Sequence, residues 1–186
     1  MRTAIVTTNQ WRPLAVVVYL LVGLSVGTHA KGARDPLVRP LHPSLHAVID
    51  TGCDRSPTFR SLMERLERGN VIVYLQFGQL PGGVQGRLTF LSAVSGFRYV
   101  MVDLSRDLDP ARLVALVGHE LRHAVEILDR PDIVDRATFA ALYEESGIRR
   151  RHFADGGIGF DTAAAVLAGR QIWRELGGAA VALATR

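Results

Sequence analysis

Between residues 56 and 177 the apolar positions change period several times, and each change marks a predicted element. In SPTFRSLMERLERGN (56–70), Phe59, Leu62, Met63 and Leu66 recur three and four residues apart, the spacing of one helix face. Ser56 is a capping residue, Pro57 suits the first turn, and Gly69 or Asn70 ends the helix. VIVYLQFG (71–78) is a β-branched and aromatic run, the signature of a strand. After the turn-rich QLPGGVQG, the segments RLTFLSAV (87–94) and FRYVMVDL (97–104) alternate in polarity around Ser95-Gly96, which predicts a hairpin.

The period then returns to helical. Asp109 and Pro110 open a helix predicted over about 110–129, and Pro131 blocks its continuation. RATFAALYEESG (136–147) and FDTAAAVLAGRQIWRELG (160–177) read as two more helices, separated by a loop at 149–159. Residues 31–55 are rich in Pro, Arg, Gly and His and are read as an extended N-terminal arm leading into a domain over 56–186. A helix, three strands and three helices, without internal repeats, predict an α+β fold: a small antiparallel or mixed three-stranded sheet packed with helices.

The first thirty residues follow a different logic. Arg2 and Arg12 precede LAVVVYLLVGLSV (14–26), a run too short to span a bilayer comfortably, and small Thr28 and Ala30 suit cleavage after Ala30. Residues 1–30 are therefore expected to be a secretory signal peptide, which places the domain outside the cytoplasm, secreted or periplasmic. An uncleaved anchor is the alternative, and with it a membrane attachment. Removing these residues lowers the formal charge of +4 by two, and the remaining arginines are scattered apart from Arg149-Arg150-Arg151. No nucleic-acid partner is expected from such a distribution. Cys53 is the single cysteine, so no intramolecular disulfide can form.

Candidate chemistry is concentrated in LVALVGHELRHAVEIL (113–128). With His119 at zero on a helical wheel, His123 falls at about +40° and Glu126 at about −20°. Val117, Leu121, Ala124 and Leu128 fall between about 140° and 200°, so the histidines occupy a strip opposite the apolar face. Two imidazoles four residues apart can reach one metal ion, and Zn²⁺ is suited to neutral imidazole nitrogen. Glu120 lies at about 100°, beside the pair, where a carboxylate can take a proton from a water that the metal acidifies. H-E-x-x-H on a helix is the arrangement that carries this chemistry.

A third ligand must come from elsewhere. Glu126 either competes for the metal or orients a histidine; Glu144, Glu145 and Asp161 are further candidates. The longer pattern H-E-x-x-H-x-x-G-x-x-H is absent, since position 126 is Glu and position 129 is Asp.

Through HELRH the chain resembles the zincin superfamily of zinc-dependent metallopeptidases. HELRHAVEI also looks like a group of small secreted bacterial proteins with a minimal zincin fold. The resemblance extends in outline over 56–177 and implies a third ligand on a downstream helix. FDTAAA is similar to that segment, which ranks Asp161 first, then Glu145 and Glu144. The resemblance further implies that FRYVMVDL or its neighbour edges a cleft for an extended peptide, with His152 or Tyr143 stabilising the transition state.

The expected function is a secreted or envelope-associated metallopeptidase acting on a peptide or protein substrate. The alternatives are a zincin-like module that binds zinc or a partner without turnover, and a tethered envelope protein whose histidine pair is incidental.

Overall fold

In the computed structural model, residues 35–81, 83–146, 148–152 and 158–177 are described. The expected signal peptide lies outside them. No described helix is long and apolar enough to cross a membrane.

Strand β1 (Val38–Pro40) leads into helices α1 (Pro43–Arg55) and α2 (Pro57–Glu67). Then come β2 (Val71–Phe77), β3 (Gly86–Val94) and β4 (Phe97–Leu104). Helices α3 (Pro110–Leu128) and α4 (Arg136–Ser146), a hairpin of β5 (Ile148–His152) and β6 (Ile158–Asp161), and helix α5 (Ala163–Glu175) complete the order. The class is α+β, but the main sheet has four strands, ordered β1-β2-β4-β3, and is mixed. Strand β2 runs parallel to both of its neighbours, while β3 is antiparallel to β4.

That topology explains the apolar run in β2. An interior strand with parallel neighbours is covered on both faces, and Val71, Ile72, Val73 and Leu75 are all buried. Strand β3 is an edge, and from Leu91 onward it is exposed. The β3–β4 connection is the tight turn expected at Ser95-Gly96, with φ of 52° and 80°. Two successive positive φ values match the twist of a hairpin, and glycine adopts the second without strain.

The expected extended arm at 31–55 is corrected: its second half is helix α1, preceded by β1. Leu45, Val48, Ile49, Gly52 and Cys53 have helical spacing and pack toward the core. Glycine at the middle of the contact hides the stripe from a hydrophobicity reading. It is needed there, because a Cβ on Gly52 would stand 2.7 Å from the Phe59 ring of α2. Ser56 joins the two helices by donating its N–H to Gly52 O of α1 and accepting from Phe59 N of α2.

The predicted loop at 149–159 is also corrected, since its ends pair as β5 and β6. The last helix starts at Ala163 and not at 160.

Helix α3 lies at the centre of the packing. Val117, Leu121, Ala124, Val125 and Ile127 are fully buried against the sheet and α2. Its C-terminal end is fixed by the buried Arg98 of β4, which donates Nη1 to the carbonyls of Ile127 and Arg130 and Nη2 to Asn70 Oδ1. A cation at that end also complements the helix dipole. On its other side α3 meets α5 at close range. A Cβ on Gly118 would collide with Ile172 Cδ1, so glycine there gives the end of that side chain its place against α3.

Candidate metal centre

The strip of α3 that carries His119 and His123 is not open to solvent as the wheel implied. His123 is 5% exposed and Glu120 4%. Tyr143 of α4 places its ring 5.5 Å from that of His123, edge to face, and Phe139 continues the aromatic contact at 5.0 Å. The junction between β6 and α5 closes another side. Buried polar groups need partners, and here they come from α3 itself and from the β6–α5 junction.

Asp161, the last residue of β6, carries its Oδ1 to 3.3 Å from His119 Nε2 and 3.5 Å from His123 Nε2. The same Oδ1 accepts from the N–H of Thr162 at 2.8 Å, which fixes its direction. The donor atoms of His119, His123 and Asp161 lie within 4.8 Å of one another, a group that could hold a metal ion.

The lengths are informative. A charge-assisted N–H···O bond is about 2.7–2.9 Å, shorter than either contact. A tetrahedron with bonds of about 2.0–2.1 Å, those of Zn²⁺ to imidazole and carboxylate, has edges of about 3.3–3.4 Å. Both contacts are close to that edge length, while all three donor atoms together are bounded by 4.8 Å.

Glu126 stands behind this group. Its Oε1 accepts from Thr162 Oγ1 at 2.7 Å, and its Oε2 lies 2.9 Å from His123 Nδ1. Thr162 is the N-cap of α5 and accepts from Ala165 N–H at 3.1 Å. Since that amide can only donate, the Thr162 hydroxyl gives its proton to Glu126. An ionised Glu126 accepts only, so His123 Nδ1 must carry the proton toward it. In the neutral imidazole Nε2 is then the unprotonated nitrogen, and it faces Asp161 and His119. Burial works against ionisation of Glu126, but the hydrogen bonds from His123 and Thr162 and the charges of His123 and Arg122 hold its pKa below the ordinary value.

Glu120 points to a different neighbour. Its carboxylate packs against Gly86, the first residue of β3, beside Leu116. Burial raises its pKa to about 7, with the His123 charge opposing and the Asp161 charge assisting. A carboxylate in that range exchanges its proton near neutrality, as a general base requires. His123 is disfavoured as a cation by burial. Hydrogen bonds to Asp161 and Glu126 and the charge of Glu120 outweigh this and raise its pKa to about 9.

The remaining candidates are placed as follows. Glu144 and Glu145 stay on the exposed side of α4, and Glu145 pairs with Arg130 at 3.5 Å, away from the histidines. Tyr143 is buried against His123, and its pKa is pushed well above 10 by burial and then by the charges of Glu126, Glu120 and Asp161. His152 falls on β5, and its side chain lies outside what is described. FRYVMVDL forms the interior strand β4; its neighbour β3 is the edge.

Sequence reasoning missed Thr162, although a threonine before an alanine run is a recognisable cap signal. Gly86 and Gly169 were missed as well, and nothing in a single sequence marks them.

Comparison of the chain with protein-family models, with curated proteins and with solved structures finds no match.

Proposed function

We propose that the chain is a zinc-dependent metallopeptidase that works outside the cytoplasm. The observation that supports this most is the convergence of donor atoms of His119, His123 and Asp161 within 4.8 Å of one another, with Glu120 buried nearby on the same helix. Two imidazoles and one carboxylate form a donor set that leaves a fourth position for water or substrate. Zinc held there supplies a Lewis acid that acidifies a water and polarises a carbonyl.

The chain's own residues supply the rest. Glu126 and Thr162 hold the His123 ring with Nε2 toward the centre. Thr162 N–H holds Asp161. Glu120 takes the proton from the attacking water and delivers it to the departing amine, a transfer its pKa of about 7 suits. Tyr143 keeps its proton and shields the ring of His123. An extended peptide would pair with the edge strand β3, whose first residue touches Glu120. Secretion through residues 1–30 belongs to the same proposal.

The test is zinc stoichiometry and peptide cleavage on the purified full chain. One zinc per chain is expected, lost in His119→Ala. Glu120→Gln should keep the metal and lower hydrolysis of a mixed peptide pool by about 100-fold or more. Zinc retained at wild-type level in His119→Ala would overturn the site, and unchanged cleavage in Glu120→Gln would remove Glu120 as the base.

A further inference from the structure

We propose that Gly86 and Gly169 are positioning residues for this centre. Each leaves room for one side chain of the site: Gly86 for the Glu120 carboxylate, Gly169 for the His119 Cβ that carries the imidazole. The effect on turnover rests on the metallopeptidase reading; the contacts do not.

Both glycines sit where local structure argues against them. Gly169 lies inside α5, and glycine is the poorest helix former after proline. Gly86 belongs to β3, where glycine weakens a strand and commonly marks a close approach. Neither adopts a positive φ, so turn geometry does not call for glycine at either place.

What they share is a neighbour in the site. A Cβ on Gly86 would run into Glu120 Oε1 and stand 3.1 Å from its Cδ and 2.8 Å from Leu116 Cδ1. A Cβ on Gly169 would stand 3.2 Å from His119 Cβ, 3.4 Å from Ala115 O and 3.6 Å from His119 Nδ1. The two act from different elements, so the base is set by the edge strand and one ligand by the last helix.

The consequences of adding a methyl differ accordingly. At position 86 the crowded atoms are the ends of flexible side chains. Alanine there is accommodated by turning the Glu120 carboxylate away while the fold and both histidines stay. At position 169 the crowded atom is the His119 Cβ, which must give by a few tenths of an ångström, while Ala115 O is at ordinary contact distance. A shift of that Cβ carries the attached imidazole with it. Helix propensity favours alanine at this position, so the variant should fold.

The experiment compares Gly86→Ala, Gly169→Ala and wild type as full-length protein. Zinc affinity is read by competition with a chromophoric chelator, melting is read on metal-free samples, and cleavage of a mixed peptide pool is followed with the zinc-loaded proteins. Gly169→Ala should weaken zinc binding by about tenfold. Gly86→Ala should keep wild-type zinc affinity and lower kcat by about 100-fold at unchanged KM, the scale expected for a misplaced group.

A further arm needs no activity. Gly86→Ala should lower the melting temperature, and the loss should shrink in a Glu120→Ala background, where the crowding carboxylate is gone. An equal loss in both backgrounds overturns the Gly86 assignment, and wild-type zinc affinity in Gly169→Ala overturns the other. If wild type cleaves nothing, the metallopeptidase reading falls alone, and the zinc and melting arms still decide this one.

Discussion

Thr162 gives its hydroxyl proton to Glu126 across 2.7 Å, tying the first turn of the last helix to the helix that carries both histidines. The same oxygen accepts the N–H of Ala165, so one side chain caps α5 and orients the carboxylate behind His123. Thr162→Val keeps the shape and removes both bonds. Loss of the cap should cost about 1 kcal/mol of stability, read by thermal or urea unfolding of the metal-free protein. Zinc affinity should fall by about tenfold, and Thr162→Ser should restore both. Wild-type zinc affinity in Thr162→Val would show that Glu126 holds the ring unaided.

Glu126→Gln tests the other half of that relay. An amide can present N–H to His123 Nδ1, which favours the tautomer with the proton on Nε2, the wrong nitrogen for a ligand. Zinc affinity should fall by about 10- to 100-fold while the melting temperature of the metal-free protein changes little. Nitrogen-detected NMR of the His123 ring reads the tautomer directly.

At the proposed metal centre an ion would compete with protons for the same groups. The pKa of Glu120 is raised from 4.5 to about 7 and that of His123 from 6.5 to about 9. Both groups bind more protons in the folded than in the unfolded chain across that span, so both contributions to stability are lost as pH rises. Metal-free protein should therefore melt progressively lower between pH 5 and about 9. The carboxylates of Glu126 and Glu175 are shifted the opposite way. Burial opposes this in each, but hydrogen bonds outweigh it, from His123 and Thr162 for Glu126 and from Ser56, Gln171 and Thr58 for Glu175. Their contribution is lost as pH falls through their depressed values, so stability should decline on the acid side too. Zinc affinity should rise with pH up to about 9, since binding expels the proton held by His123. Melting curves with zinc and with chelator, taken across this range, check all three signs.

Arg98→Met removes the side chain that closes the C-terminal end of α3. The carbonyls of Ile127 and Arg130 and the side chain of Asn70 then lose their donor in a buried setting. A loss of about 2 kcal/mol is expected, measured by chemical denaturation. A substitution with little effect would mean that water reaches those carbonyls.

The parts of the molecule that the sequence made legible are those where one residue type carries one physical meaning. Asp109-Pro110 and Ser56-Pro57 cap helices because a short acceptor followed by a fixed φ does so almost regardless of context. Ser95-Gly96 turns the hairpin for a similarly local reason. The α1 helix was illegible because its contact with α2 is made through a glycine, and small residues carry no hydrophobic signal. The hairpin of β5 and β6 was illegible because IRRRH lacks alternation, and its pairing is carried by the backbone.

At the candidate site, His119, Glu120 and His123 announce themselves by spacing. Asp161 was one of several acids, and only the fold separates it from Glu144 and Glu145, which it leaves exposed on α4. The burial of Glu120 and His123 could not be read from a wheel, because the covering groups come from α4 and the β6–α5 junction.

The position of Asp161 has one more consequence. It ends a strand that lies well downstream of α3, yet its carboxylate meets both histidines of that helix. With Cys53 as the single cysteine, no disulfide can tie the C-terminal part of the chain to its centre. An ion held by His119, His123 and Asp161 would do so as a removable cross-link, closing a loop that contains α4 and the β5–β6 hairpin. Loop closure charged to the unfolded chain is a stabilising term that appears only with the ion. Metal supply would then govern how long the protein survives, independently of any turnover at the site.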